Sequence, residues 1–85
     1  MKLSVIIPVY NEVESIETIV QRVQATKLVH EIILVDDGSK DGSRDILKKL
    51  GSKKGLRVIL HEKNQGKGSA VRTGMAAAQG DILLI

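Results

Sequence analysis

Eighty-five residues with 42% apolar side chains, a net charge of +3 and no cysteine make at most one small domain, without disulfide staples or thiolate metal sites, which suits a reducing compartment. Tyr10 is the only aromatic residue, so the core must be Ile, Leu, Val and Ala, and lysines without interleaved aromatics argue against nucleic acid as a partner. No apolar run approaches the ~20 residues of a membrane span, and Pro8 breaks an opening apolar run already too short for a signal peptide.

Leu3 to Val9 reads as the first strand. Asn11, with Glu14 three residues on, has capping-box spacing and is expected to start a helix with Val13, Ile16, Ile19, Val20 and Val23 in one apolar stripe. Glu31 to Val35 is the second strand. Its Ile32-Ile33-Leu34-Val35 run does not alternate, so both faces should be covered, as in a central parallel strand. A second helix is expected from near Asp41, with Ile46, Leu47 and Leu50 inward and Gly51 at its end. Leu56 to Leu60 is the third strand. The third helix should run from about Gly68 to Ala78, where Ala70, Val71, Gly74, Met75, Ala77 and Ala78 let its backbone lie close to the sheet, and Gly80 terminates it. Asp81 to Ile85 reads as a buried-type fourth strand with no turn after it, which suggests a domain incomplete at its C-terminus.

This β-α-β-α-β-α-β alternation predicts an α/β fold, a three-layer Rossmann-like half with a parallel sheet and right-handed crossovers. By analogy with mononucleotide-binding sheets the strand order is 3-2-1-4, and a ligand belongs beyond the carboxyl ends of strands one and two. No repeat or linker divides the chain, so residues 1–85 read as one subdomain.

Three polar clusters follow successive strands and should meet at one rim. In Pro8-Val9-Tyr10-Asn11-Glu12, Pro8 ends the strand and Tyr10 offers a flat ring suited to stacking on a nucleobase. In Asp36-Asp37-Gly38-Ser39-Lys40-Asp41-Gly42, a turn and a helix cap account for Gly38 and Asp41 but less well for two adjacent carboxylates. A carboxylate there could accept a hydrogen bond from a pyrimidine or guanine N–H, or help hold a divalent cation. A calcium loop beginning at Asp37 fails, because its twelfth position is Lys48. In Asn64 to Gly74, glycine-rich backbone with Lys67 and Arg72 at a helix start favours an anion. A P-loop is excluded by His61 and Gly68 at its required Gly and Ser/Thr positions, and a dinucleotide fingerprint by Val71 in place of its third glycine. A receiver domain is excluded because the acidic pair follows the second strand and not the first. His30 and His61 are isolated and read as structural or exposed residues. The lysines at 48, 49, 53, 54, 63 and 67 read as a solvated face, with attraction to anionic lipid head groups as a secondary property.

In this order the clusters resemble the start of family 2 glycosyltransferases. Ser4-Val5-Ile6-Ile7-Pro8-Val9-Tyr10-Asn11-Glu12 is similar to their opening strand and loop, and Glu31 to Ser39 to their second. His61-Glu62-Lys63-Asn64-Gln65-Gly66-Lys67-Gly68-Ser69-Ala70-Val71-Arg72-Thr73-Gly74 narrows the likeness to the polyprenyl-phosphate branch, that of the dolichol-phosphate mannosyltransferases. The resemblance implies a GT-A fold and inverting transfer of a sugar, mannose or glucose, from a GDP- or UDP-sugar to a polyprenyl or dolichyl phosphate. It implies that Pro8, Tyr10 and Glu12 contact base and ribose, that Asp37 reads the base edge with Asp36 supporting its loop, and that Lys67 lies by the nucleotide. Arg72 would either join them or pair with a carboxylate. In the family an Asp-x-Asp motif binding Mg or Mn follows the fourth strand. No catalytic or metal-binding residue is therefore assigned to these 85 residues, which alone are expected to be inactive. A cytoplasmic location, peripheral to the membrane in the full-length protein, is also implied, as is self-association through an exposed edge. The competing expectation is a stand-alone, non-catalytic nucleotide- or anion-binding module.

Overall fold

The computed structural model describes residues 2–85. Seven elements alternate along them: β1 (Leu3–Val9), α1 (Ile16–Ala25), β2 (Glu31–Asp37), α2 (Ser43–Leu50), β3 (Leu56–His61), α3 (Lys67–Ala77) and β4 (Asp81–Leu84). The strands form one parallel sheet in the order β3-β2-β1-β4. The predicted architecture and strand order are therefore those observed.

Strand pleating divides the sheet into two faces. Val5, Ile7, Val9, Ile32, Leu34 and Leu56 face α1 and α2, where they pack with Ile16, Val20, Leu47 and Leu50. Ile33 and Val35 face α3 and pack with Ala70. Each fully buried Ile, Leu or Val contributes roughly 1.5–3 kcal/mol, so the aliphatic core supplies what aromatics supply elsewhere. Helix α3 can lie against β1 because Gly74 has no side chain: a Cβ there would sit 2.5 Å from Ile6 Cγ2. All seven residues of β2 are buried, as its unbroken apolar run predicts.

Two expectations need correction. First, β2 and β3 run on to Asp37 and His61, because parallel backbone pairing continues through Asp36↔Leu60 and Asp37↔His61 whatever the side-chain polarity. Second, Asn11 and Glu14 form no capping box. Helix α1 starts at Ile16 with Ser15 at its cap, and Asn11 sits in the left-handed region at φ 52°. Its side chain is used by a different loop, which a local pattern cannot reveal. The apolar edge expected at β4 is observed among the described residues, with Ile82, Leu83 and Leu84 44–48% exposed. This strand pairs with β1 alone, while α3 lies over β1 and β2.

A buried polar network ties the amino end of the sheet together. Ser4 Oγ donates to Glu31 Oε2 at 2.7 Å, the Gln79 N–H donates to the same oxygen at 2.8 Å, and the Gly80 N–H donates to Ser4 Oγ at 2.9 Å. Burial alone would raise the Glu31 pKa. Hydrogen bonds from Ser4 and Gln79, with the positive charge of Arg57 and His30, outweigh it and leave the group below the ordinary 4.5. A carboxyl depressed on folding adds stability above its unfolded pKa and loses it as pH falls through the lower folded value. The melting temperature should thus fall steadily as pH drops below about 4.5, and Glu31→Gln should flatten that slope at the cost of stability at neutral pH. Circular-dichroism melts across this range decide it; an unchanged slope in the variant would rule Glu31 out.

Candidate functional site

At the carboxyl end of the sheet three loops are sewn together by side chains. The Asn11 N–H donates to Ser39 Oγ at 2.8 Å, and Asn11 Oδ1 accepts from the Lys40 N–H at 2.9 Å. The Glu12 N–H donates to Ser43 Oγ at 2.9 Å and the Val13 N–H to Asp41 Oδ2 at 3.1 Å. Asp41 Oδ1 in turn accepts from the Ser43 hydroxyl at 2.6 Å and the Ser43 N–H at 3.0 Å. The Ser43 hydroxyl bond, ahead of an opposing desolvation cost, holds the Asp41 carboxyl below its ordinary 3.8. The loop after β1 is therefore fixed by the loop after β2.

The adjacent carboxylates separate because the pleat sends them to opposite faces. Asp36 turns toward α2 and is completely buried. Its Oδ2 accepts from the Gly38 and Ser39 N–H groups at 3.1 and 3.0 Å and lies 3.4 Å from Arg44 Nη1. The same nitrogen donates to the His61 carbonyl at 2.7 Å, tying α2 to the end of β3. Asp36 Oδ1 is buried with no hydrogen-bond partner among the described residues.

Asp37 turns toward α3. Its Oδ1 accepts from the Gln65 N–H at 2.9 Å and lies 3.1 Å from His61 Nδ1, while Oδ2 accepts from the Gly66 N–H at 2.9 Å. Burial works to raise its pKa, but these bonds and the neighbouring imidazole outweigh it, so the group lies below the ordinary 3.8 and is ionised at neutral pH. The loop after β3 is thus folded around one carboxylate. Gly38 lets it come close: at φ +80°, a Cβ there would fall 2.7 Å from the Asn64 nitrogen.

Between these loops and the start of α3 is a cavity of about 260 Å³. Pro8, Tyr10, Glu12, Asp37 and Lys67, all singled out from sequence, line it together with Val9, Asn64, Gly66 and Ala70. Tyr10 is 47% exposed, so its ring is available to a ligand. Lys67 opens α3, and a helix start with its free N–H groups and a lysine attracts an anion. Two predicted residues lie outside the lining. Asp36 is on the other face of the sheet, where it braces the loop, and Arg72 is exposed on α3, its guanidinium folded back near Gly68.

Sequence reasoning missed Arg44, Ser39 and Ser43 as braces, and it set His61 aside. His61 Nε2 lies 2.9 Å from Thr73 Oγ1, so the ring spans β2 and α3. Its signal was strand parity, since His61 is in register with Asp37. Among the described residues no three His, Asp or Glu side chains gather as a metal-holding group. Asp36 and Asp37 lie on opposite faces of the sheet, so the two carboxylates do not converge on one divalent cation.

The family model described as Glycosyl transferase family 2 matches residues 4–85. The undecaprenyl-phosphate 4-deoxy-4-formamido-L-arabinose transferase of Serratia proteamaculans is 42% identical over 89 residues, spanning 98% of this chain and 27% of that protein. The dolichol-phosphate mannosyltransferase of Pyrococcus furiosus is 40% identical over 87 residues, spanning 100% of this chain and 25% of that protein. Among solved structures, glucosyl-3-phosphoglycerate synthase from Mycobacterium tuberculosis, in complex with Mn2+, UDP and glucosyl-3-phosphoglycerate, superposes with a TM-score of 0.80 at 30% identity. That match covers 99% of this chain and 32% of the synthase. The chain therefore spans about a quarter of the length of the curated relatives it matches.

Proposed function

The chain belongs to glycosyl transferase family 2, and from that premise we propose that it is the donor-binding part of an inverting hexosyltransferase acting on a polyprenyl or dolichyl phosphate. The observation that carries this reading is one cavity holding an exposed aromatic ring, an ionised carboxylate and a lysine at a helix start. Those three groups match the two ends of a nucleoside diphosphate, its base and its phosphates. Tyr10 stacks on the base with Pro8 beside it, Asp37 accepts an N–H from the base edge, Glu12 takes the ribose, and Lys67 with the α3 terminus faces the phosphates. Arg72, whose guanidinium lies near Gly68 in the first turn of α3, is proposed as a second group for the phosphates. A carboxylate acceptor favours uracil or guanine, whose edges present a ring N–H. A UDP- or GDP-linked mannose or glucose is therefore the proposed donor, and the UDP-bound synthase supports the uracil form.

Mg or Mn serves the whole enzyme in this reading, by likeness to the Mn2+-bound synthase, and is held by residues other than those of this chain. The 85 residues, about a quarter of the length of the relatives, are proposed to form one nucleotide-binding subdomain that binds nucleotide without turning over a sugar. No helix among the described residues is long and apolar enough to cross a membrane. A cytoplasmic site of action, at the membrane face where the lipid phosphate is presented, is part of the proposal.

Calorimetry with UDP and GDP, with and without manganese, tests the reading. Binding should be weak and indifferent to the metal. Tyr10→Ala should weaken it by about 1–3 kcal/mol, the usual worth of a base stacked on an aromatic ring, while Tyr10→Phe keeps it. Equal affinity in Tyr10→Ala would remove the stacking role. Self-association through the exposed apolar residues of β4 is also proposed, and a monomer mass in gel filtration at high concentration would contradict it.

A further inference from the structure

The carboxylate that reads the base needs something to hold it, and the candidate is a residue with no assigned role. Asp37 being ionised, it can only accept, so His61 Nδ1 donates to it across 3.1 Å. The other ring nitrogen lies 2.9 Å from Thr73 Oγ1, and that hydroxyl is itself seated 3.0 Å from the Ser69 carbonyl. The backbone of His61 is held from the opposite face, where Arg44 donates to its carbonyl at 2.7 Å. Neither ring rotation nor backbone shift is free. The His61 side chain is 10% exposed and the Asp37 side chain 5%, so water competes little for the bond between them.

We infer that His61 is a positioning residue for base recognition: seated by Thr73 of α3, it fixes the Asp37 carboxylate in the orientation that accepts the ring N–H of the nucleobase. His61 touches no ligand itself and is absent from the cavity lining, whereas Asp37 is part of it. The Gln65 and Gly66 N–H groups hold Asp37 from the loop, which a ligand can displace, but His61 holds it from the sheet, at the matching position of the neighbouring strand. This inference rests on the nucleotide-binding reading above.

The test uses the 85-residue chain and compares each nucleotide with its N-methylated form, N3-methyl-UDP for UDP and N1-methyl-GDP for GDP. The methyl group removes the ring N–H and leaves sugar and phosphates alone. The wild-type chain should bind the preferred nucleotide roughly tenfold or more tightly than its methylated form, the usual effect of losing a hydrogen bond to a charged group. In His61→Phe that gap should close, through weaker binding of the unmodified nucleotide and unchanged binding of the methylated one. His61→Asn, whose amide nitrogen falls near the position of Nδ1, should restore the gap, and His61→Gln, which mimics the other nitrogen, should not. Thr73→Val should narrow it while leaving Asp37 and His61 in place. Far-UV circular dichroism of each variant reports folding; should His61→Phe not fold, Thr73→Val and the Asn/Gln pair carry the test. A purely structural His61 would weaken both nucleotides equally, and that result, or a full gap in the Phe variant, overturns the inference. A wild-type chain that binds neither nucleotide, or binds both forms alike, removes the base-reading role of Asp37 itself.

Discussion

Asp37→Ala is expected to abolish measurable UDP and GDP binding and to lower the melting temperature at the same time. The carboxylate accepts from the Gln65 and Gly66 N–H groups and faces His61 Nδ1. Each buried donor left without an acceptor costs about 1–3 kcal/mol. A small domain whose whole stability is ~5–15 kcal/mol will register that loss. Binding should suffer more than stability, because the loop after β3 carries Asn64, Gly66 and Lys67 into the cavity and is released along with the proposed base acceptor. Asp37→Asn keeps the shape but presents a donor where the N–H groups converge, so it should retain more stability than Asp37→Ala and still lose nucleotide. Calorimetry and thermal melts on both variants separate the two roles. Undiminished affinity in Asp37→Ala would mean that the base is read elsewhere.

Gly38→Val should be the most damaging single substitution in the loop after β2. Two costs add. A left-handed conformation, here φ +80°, costs a non-glycine residue about 1–2 kcal/mol. A Cβ would also stand 2.7 Å from the Asn64 nitrogen and 2.9 Å from the Lys63 carbonyl carbon. Those are backbone atoms and cannot rotate aside, so the third loop must move off Asp37. Gly42→Ala is the control. Its φ of +99° imposes similar strain, but a Cβ there meets only Val13 Cγ2 at 3.7 Å. The expectation is a modest loss of stability with affinity retained for Gly42→Ala, and a larger loss with no nucleotide binding for Gly38→Val. Equal effects in the two variants would show that strain alone matters and that the close approach of the loops does not.

The sheet was legible because its signals are local and redundant. Ile32-Ile33-Leu34-Val35 is apolar without alternation, and only a strand covered on both faces tolerates that. The strand ends were less legible, since Asp36, Asp37 and His61 stay in the ladder through backbone pairing that apolarity does not report. The capping box at Asn11 failed for a related reason. Its oxygen accepts from Lys40, 29 residues away, and that long-range bond replaces the local cap. Of the rim residues, Pro8, Tyr10, Glu12, Asp37 and Lys67 were recognisable by type and by place after a strand. Asp36, read as a support for the loop of Asp37, holds the Gly38 and Ser39 N–H groups, but from the other face of the sheet, which only the pleat reveals. Arg44 and His61 carried no motif, and the role of each depends on a register that exists only once β2 and β3 are paired.

The most direct test of the shared cradle is an amide NMR titration of the nitrogen-15-labelled chain with UDP and with GDP. If the three loops serve one ligand, the resonances of Tyr10, Asp37, Gly66 and Lys67 shift together with a single dissociation constant, while those of Glu31, Arg57 and Gln79 at the opposite end of the sheet stay in place. Shifts confined to that opposite end, or separate dissociation constants for the three loops, would contradict it.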